Sequence, residues 1–225
     1  MNKLISVIIP VRNGSNYLSQ ALESVLLQKM DVETIVVDDG STDNTLEIAR
    51  KYGCKTISHS VSKGQVAAKN TGLSIAGGEY VIFLDHDDRI REGALATLYE
   101  ALDPDKGIYA VEAKVQDFLS PDVGPKPGII VREDAYYGLF TGAILIRKSA
   151  FDTVGPFSDN VYTGEIMEWF SKMEKNGLKI KKIDLVSTDR RIHGTNFGQT
   201  HRDTEMKNYA SVLRAMLKAK SGNNL

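Results

Sequence analysis

Three carboxylates stand within four positions in Asp85-His86-Asp87-Asp88, directly behind the apolar run Tyr80-Val81-Ile82-Phe83-Leu84. Like charges at this density repel, so a positive partner normally compensates them. A divalent cation is the natural partner, because Mg²⁺ and Mn²⁺ favour oxygen ligands and accept one or two carboxylates together with substrate phosphates. The same residues also suit a solvated acidic turn that caps the next helix. A second acidic pair, Asp38-Asp39-Gly40-Ser41, closes the run Glu33-Thr34-Ile35-Val36-Val37. A polar pair, Arg12-Asn13, follows the run that ends at Pro10. The Asp38-Asp39 pair is the weaker signal taken alone, and it also suits a turn plus helix cap.

The elements that must position these clusters alternate regularly through the first half. Leu4-Ile5-Ser6-Val7-Ile8-Ile9 predicts a buried strand ending at Pro10. A helix opening at Asn13-Gly14-Ser15 carries Leu18, Ala21, Leu22, Val25 and Leu26 at helical spacing. Residues 33–37 form the second strand, and Thr42 or Asp43 can cap a helix bearing Leu46, Ile48 and Ala49. Residues 55–58 give a third strand, residues 65–76 a helix ended by Gly77-Gly78, and residues 80–84 a fourth strand. Strand and helix alternating at this spacing predict a parallel sheet. Ligands of such sheets bind beyond the carboxyl ends of the strands, so the three polar clusters should converge on one crevice.

The second half is less regular. A strand is predicted over 109–118, a Pro/Gly-rich loop over 120–128, a strand over 143–146 and a short helix over 149–154. A helix over 165–176 ends at Gly177, and a strand follows over 179–186. A helix over about 203–220 would present Met206, Tyr209, Val212, Leu213, Met216 and Leu217 on one face, as a docking face or a peripheral membrane contact. Trp169 and Phe170 suit packing of their helix against the sheet, or stacking on a sugar.

Composition narrows the class. The chain has 225 residues, 42% hydrophobic and 25% charged, which suits one α/β domain with a helical tail. Its 28 basic and 29 acidic residues balance to a net charge of −1, against an electrostatic grip on nucleic acid or bulk anionic membrane. A single cysteine, Cys54, excludes an internal disulfide framework and a cysteine zinc cluster; it reads as a small buried residue at a strand start. No apolar stretch is long enough to span a bilayer and no signal peptide is readable, so the expected compartment is the cytoplasm. Neither a P-loop nor a Gly-x-Gly-x-x-Gly pattern occurs. A response-regulator pocket would need an Asp after the third strand, where Ser58-His59-Ser60 stands. A haloacid-dehalogenase-type phosphatase, with Asp85 as nucleophile, would want Thr or Val at Arg89 and its motif on the first strand.

Four segments in order carry a resemblance: Ile5-Ser6-Val7-Ile8-Ile9-Pro10-Val11-Arg12-Asn13, Val36-Val37-Asp38-Asp39-Gly40-Ser41-Thr42-Asp43, Ala67-Ala68-Lys69-Asn70-Thr71-Gly72 and Phe83-Leu84-Asp85-His86-Asp87-Asp88. Together they resemble the family 2 glycosyltransferases of the GT-A fold, over roughly residues 3–200. The resemblance implies a Rossmann-like, mostly parallel sheet flanked by helices. It implies one domain over 1–202, with a nucleotide-binding half (1–103) and an acceptor half (104–202), then a C-terminal helix and tail (203–225). It places the nucleotide at Pro10, Arg12, Asn13 and Asp39, with Lys63 and Gly64 nearby. It gives Asp85 the ribose, and Asp87 the Mg²⁺ or Mn²⁺ bound to the diphosphate.

The acceptor half resembles the family through Gly142-Ala143-Ile144-Leu145-Ile146-Arg147-Lys148 and Phe151-Asp152-Thr153-Val154-Gly155-Pro156-Phe157. The family commonly starts its catalytic helix with Glu-Asp, the Asp being the general base. Here Gly164-Glu165-Ile166-Met167-Glu168 puts Glu165 on the Glu and Ile166 on the usual base. Glu165 and Glu168, three apart on a helix, become the candidate bases; Glu165 equally suits a first-turn carboxylate favoured by the helix dipole. In Arg190-Arg191-Ile192-His193-Gly194-Thr195-Asn196, arginines and glycine around His193 suit phosphate. Related GT-A enzymes often take a metal ligand from this region, which nominates His193, with Arg190 or Arg191 neutralising the leaving group. His201 and Arg202 adjoin it, whereas His59 and His86 have no comparable context.

The resemblance therefore implies a metal-dependent, inverting hexosyl- or N-acetylhexosaminyl-type transferase. UDP is the expected donor nucleotide, with GDP and dTDP open, and the acceptor is a saccharide, lipid-linked or peptide hydroxyl. A non-catalytic nucleotide-sugar-binding module is the main alternative, because of Ile166, and the metal-dependent phosphatase is the other.

Overall fold

The computed structural model describes residues 4–123, 129–159, 164–194 and 196. Within them, eight strands form one mixed sheet in the order β3-β2-β1-β4-β7-β6-β8-β5, with helices on both faces. The strands are β1 (Ile5–Val11), β2 (Val32–Asp38), β3 (Lys55–Ser58), β4 (Tyr80–Phe83), β5 (Arg89–Ile90), β6 (Ile108–Leu119), β7 (Ile144–Arg147) and β8 (Lys179–Ile192). The helices are α1 (Leu18–Leu26), α2 (Thr45–Lys51), α3 (Gln65–Ile75), α4 (Ala94–Glu100), α5 (Ser149–Val154) and α6 (Glu165–Lys175). The predicted helix over 203–220, and with it His201 and Arg202, lies outside the described residues.

β1 is buried at every position because helices cover both faces of the sheet. Its side chains alternate: Ile5, Val7, Ile9 and Val11 join α1 and α4 in one core, while Ile8 joins α3, α5 and α6 in the other. In the second core Phe83, Phe151, Phe157 and Trp169 pack ring against ring. Trp169 satisfies its indole N–H on the Gly155 carbonyl at 2.8 Å, so it packs the helix rather than opening to a ligand.

β1, β2, β3 and β4 run parallel, as the sequence predicts. Several boundaries differ, each for a tertiary reason. β1 continues through Pro10 to Val11. The Val11 carbonyl accepts from Asp39 on the β2 side, so Pro10, one position earlier, turns its missing N–H toward β4. β4 has already ended at Phe83, and no ladder bond is lost there. α1 starts at Leu18 rather than near Asn13, because the N–H groups of Asn13, Gly14 and Ser15 donate to Ser41, Thr45 and Asp43 instead of entering a helical turn.

β8 is the largest departure: it runs six residues past Val186, to Ile192. Its charged end is held by distant partners. Asp189 pairs with Arg91 at 2.8 Å, and Arg190 meets the buried Asp117 at 3.4 Å. No periodicity within 187–192 announces those pairings. Cys54 precedes β3 and is only half-buried, with burial still pushing its thiol up to about 11.

Candidate active site

The carboxyl ends of β1, β2 and β4 form one wall of a cleft of about 580 Å³. Residues 139–141, the start of α6 and the end of β8 form the rest. A cleft of this size at the ends of parallel strands can enclose a nucleotide-sized ligand. Pro10, Arg12, Asn13, Asp39, Gly64, Asp85, Asp87, Glu165, Arg190, Arg191 and His193 all line it, while Lys63 and Glu168 do not.

Asp39 follows β2 and is nearly enclosed. Its Oδ1 accepts from His59 Nδ1 at 2.7 Å and the Lys63 N–H at 2.8 Å; Oδ2 accepts from the Ser62 hydroxyl at 2.6 Å and the Gly64 N–H at 2.9 Å. Burial opposes its charge, but these four donors outweigh burial and hold the carboxyl below its ordinary range. Lys63 thus takes part through its backbone. Gly64 sits at φ +92°, a left-handed conformation that lets its N–H face Asp39 and then open α3. Asn13, also left-handed at φ 52°, accepts from the Thr42 N–H at 2.8 Å and ties the end of β1 to the loop after β2.

The acidic cluster behind β4 separates by role. Asp85 Oδ1 accepts from Gln65 Nε2 at 2.8 Å. Burial raises its carboxyl, and Asp87 raises it further against the opposing effect of Lys69. Asp87 Oδ2 accepts from His193 Nε2 at 2.9 Å and from Asn196 Nδ2 at 3.2 Å. Burial disfavours the Asp87 charge, but the His193 hydrogen bond and the neighbouring imidazoles hold its carboxyl below the usual range. Asp88 faces inward and accepts the Arg191 N–H at 2.9 Å; burial and its two acidic neighbours push it well above the usual range. Among the described residues, no group of three or more His, Cys, Asp or Glu gathers around one point.

At the start of α6, Glu165 lines the cleft and its Oε1 accepts from Lys69 Nζ at 2.7 Å. Burial works against the Glu165 charge, and the Lys69 ammonium overcomes it and holds the carboxyl below its ordinary value. Ile166 lines the cleft beside it. Glu168 instead pairs with Lys172 at 2.9 Å, one turn further along α6. Arg190 spans Asp117 and the Tyr136 hydroxyl and lies over the Phe140 ring, 5.0 Å from its centroid. Arg191 is almost fully buried between the rings of Tyr17 and Phe118, at 4.7 and 4.6 Å. Its guanidinium bonds Gln20, Ser120 and the Asp87 carbonyl, so its charge supports the acidic turn from behind.

Several residues in the cleft or directly behind it were not singled out by sequence. His59 has no sequence context, yet it bridges Asp39 and Thr71. Gln65, Phe140, Thr141 and Asn196 sit in loops or at helix ends without a pattern of their own. Lys69 carried a readable signal: it shares the buried stripe of α3 with Val66 and Gly72, and a lysine on an apolar stripe demands a counter-ion.

The model of the family described as "Glycosyl transferase family 2" matches residues 6–155, two thirds of the chain. The chain belongs to family 2 of the glycosyltransferases. This family 2 chain is matched over a span that includes Asp39, Asp85 and Asp87 and ends before Glu165 and His193. It is 42% identical to glycosyltransferase GlyG of Streptococcus pneumoniae over 106 residues, 44% of this chain and 35% of that one. It is 28% identical to chondroitin synthase of Pasteurella multocida over 229 residues, 95% of this chain and 23% of that one. The chain thus spans between about a quarter and a third of the length of these curated relatives. In fold it is similar to TarS 1–349 of S. aureus in complex with UDP, at TM-score 0.69 and 22% identity, covering 94% of this chain and 64% of that one. It is similar too to the mannosyltransferase PcManGT of Pyrobaculum calidifontis in complex with GDP-Man and Mn²⁺, at TM-score 0.71 and 19% identity, covering 93% and 64%. The mixed α/β sheet is therefore that of the GT-A glycosyltransferases. Among the described residues no helix is long and apolar enough to cross a membrane.

Proposed function

We propose that this glycosyltransferase moves a sugar from a nucleoside-diphosphate donor to an acceptor hydroxyl with inversion, with UDP as the leading nucleotide. One observation supports the reading above the others: a single cleft is lined by Asp39, Asp85, Asp87, His193 and Glu165, which come from separate stretches of the chain. The donor would lie across the ends of β1, β2 and β4. Pro10, Arg12, Asn13 and the Asp39–Gly64 contact border the nucleotide, and Asp85 faces the ribose.

Mg²⁺ or Mn²⁺ suits the donor set of Asp87 and His193. A carboxylate oxygen and an imidazole nitrogen lie 2.9 Å apart on one side of the cleft, and donor diphosphate oxygens would complete the coordination. Bound there, the cation supplies charge neutralisation to the departing diphosphate. Glu165, an ionised carboxylate on the acceptor wall, accepts the acceptor proton as the new bond to the anomeric carbon forms and the bond to diphosphate breaks. Arg190, beside Phe140, adds positive charge to the same wall. Arg191 acts behind the acidic turn rather than on the ligand.

A thermal-shift series with UDP, GDP, dTDP and their sugar conjugates, with and without Mn²⁺, tests the reading. A ligand that binds only the folded chain raises its melting temperature. A metal-dependent shift with one nucleotide, lost in Asp87→Ala, is the expected result. No shift with any nucleotide overturns the donor site. A second reading is favoured by Ile166 at the family's usual base position: a nucleotide-sugar-binding subunit, identified by donor binding without transfer or hydrolysis.

A further inference from the structure

Helix α3 offers two donors on one face, one turn apart. Gln65 reaches Asp85 at 2.8 Å, and Lys69 reaches Glu165 at 2.7 Å. Asp85 belongs to the donor wall behind β4 and Glu165 to the acceptor wall at the start of α6. The Lys69 and Glu165 side chains are only 4% and 9% exposed.

Burying an ion pair is expensive, and a buried pair can often be replaced by apolar side chains at no loss of stability. Lys69 shares the buried stripe of α3 with Val66 and Gly72 but turns its ammonium to the cleft, where a leucine or methionine would be buried without needing a partner. The ion pair therefore calls for a reason other than stability.

α3 is also fixed at several points that tie the two walls together. The Gly64 N–H that opens it donates to Asp39. Gly72 presses the helix so close to β1 that a Cβ would collide with Ile8. Asn70 exchanges hydrogen bonds with both backbone groups of Phe157, at 2.8 and 3.1 Å, on the acceptor side. A helix anchored in this way moves as a strut, and groups held by it keep their spacing.

We propose that Gln65 and Lys69 are positioning residues, and that α3 holds Asp85 and Glu165 in a fixed relation so that donor and acceptor are brought into register together. The proposal rests on Glu165 acting as the acceptor-side carboxylate. Lys69 serves by orientation: a carboxylate misplaced by about 1 Å can lose on the order of 10²-fold in rate.

The test uses the full chain with Mn²⁺ and follows hydrolysis of UDP-GlcNAc, UDP-Glc and GDP-Man, water serving as acceptor, with nucleotide affinity measured separately. Lys69→Met is expected to lower kcat by about 10²-fold, with donor KM and nucleotide Kd within about two-fold, and Lys69→Arg to restore most of the loss. The exposed Gln65→Ala variant retains the fold and lowers kcat. The double variant matches Lys69→Met alone, because both changes release one strut. If Lys69→Met lowers only the melting temperature, with kcat per folded molecule unchanged, the proposal is overturned. Multiplying losses in the double variant overturn it as well; where Lys69→Met fails to fold, the cycle is run with Lys69→Gln, which also removes the charge. An unaltered chain that binds no nucleotide removes the transferase reading itself, a failure read before any variant is made.

Discussion

His59 Nδ1 donates to Asp39 Oδ1 at 2.7 Å, and both side chains are buried at 6% exposure. The contact joins the end of β2 to the loop after β3, twenty residues on, and Ser62, Lys63 and Gly64 close around the same carboxylate. Asp39 is thus the point on which the nucleotide side of the cleft is folded. Asp39→Ala strands four donors and should cost about 2–3 kcal/mol in denaturant unfolding. His59→Ala removes one and should cost about 1 kcal/mol. Equal costs for the two variants would contradict the central place of Asp39.

Asp43 gives a pH-dependent test. Its carboxylate accepts from the Thr45 N–H and hydroxyl and from the Ser15 N–H, opening α2 and holding the turn before α1. Burial opposes its charge, but these bonds hold the carboxyl down at about 2. A depressed carboxyl contributes stability that is complete above its unfolded value and disappears as pH falls through the folded one. The advantage of the unaltered chain over Asp43→Ala should be about 1 kcal/mol at pH 7. It should shrink below about pH 4 and vanish as the pH falls through about 2. A difference independent of pH across that window would refute the role.

Arg191 should tolerate no substitution. Its guanidinium lies between two rings and bonds Gln20, Ser120 and the Asp87 carbonyl. Lysine lacks the planar fork these partners need. Arg191→Lys should therefore cost about 2–4 kcal/mol and lower Tm by several degrees. A melting curve superimposable on that of the unaltered chain would show that the buried network contributes nothing.

Glu165 and Glu168 separate by geometry. Glu165 lines the cleft, and Glu168 is paired with Lys172 away from it. Glu165→Gln should reduce turnover by about 10²–10⁴-fold with nucleotide affinity intact, and Glu168→Gln should leave both within two-fold. Loss of turnover in Glu168→Gln at undiminished stability would reverse the assignment.

Much of the scaffold was legible because it is local. The apolar runs of β1, β2 and β4, the 3.6-residue stripe of α1 and the Gly77-Gly78 stop after α3 each lie within or beside one element. Convergence of the Arg12, Asp39 and Asp85–Asp88 clusters followed from a rule about parallel sheets, without knowledge of any contact. The polar end of β8 was not legible, because Asp189, Arg190 and Arg191 join the sheet by pairing with Gln116, Asp117 and Phe118 of β6, and their charges are met by the distant Arg91, Asp117 and Asp88.

The sequence by itself determined which side chains carry charge, which strands are apolar throughout, and that their carboxyl ends would share a cleft. Tertiary structure alone decided the pairings: Lys69 with Glu165 across 96 positions, His193 with Asp87 across 106, Gln20 with Arg191 across 171. Periodicity reports which face a residue shows to the core, and that depends on neighbours three or four positions away. The partner of a buried charge depends on which distant element packs against that face, and burial makes the pairing obligatory only after the chain has folded.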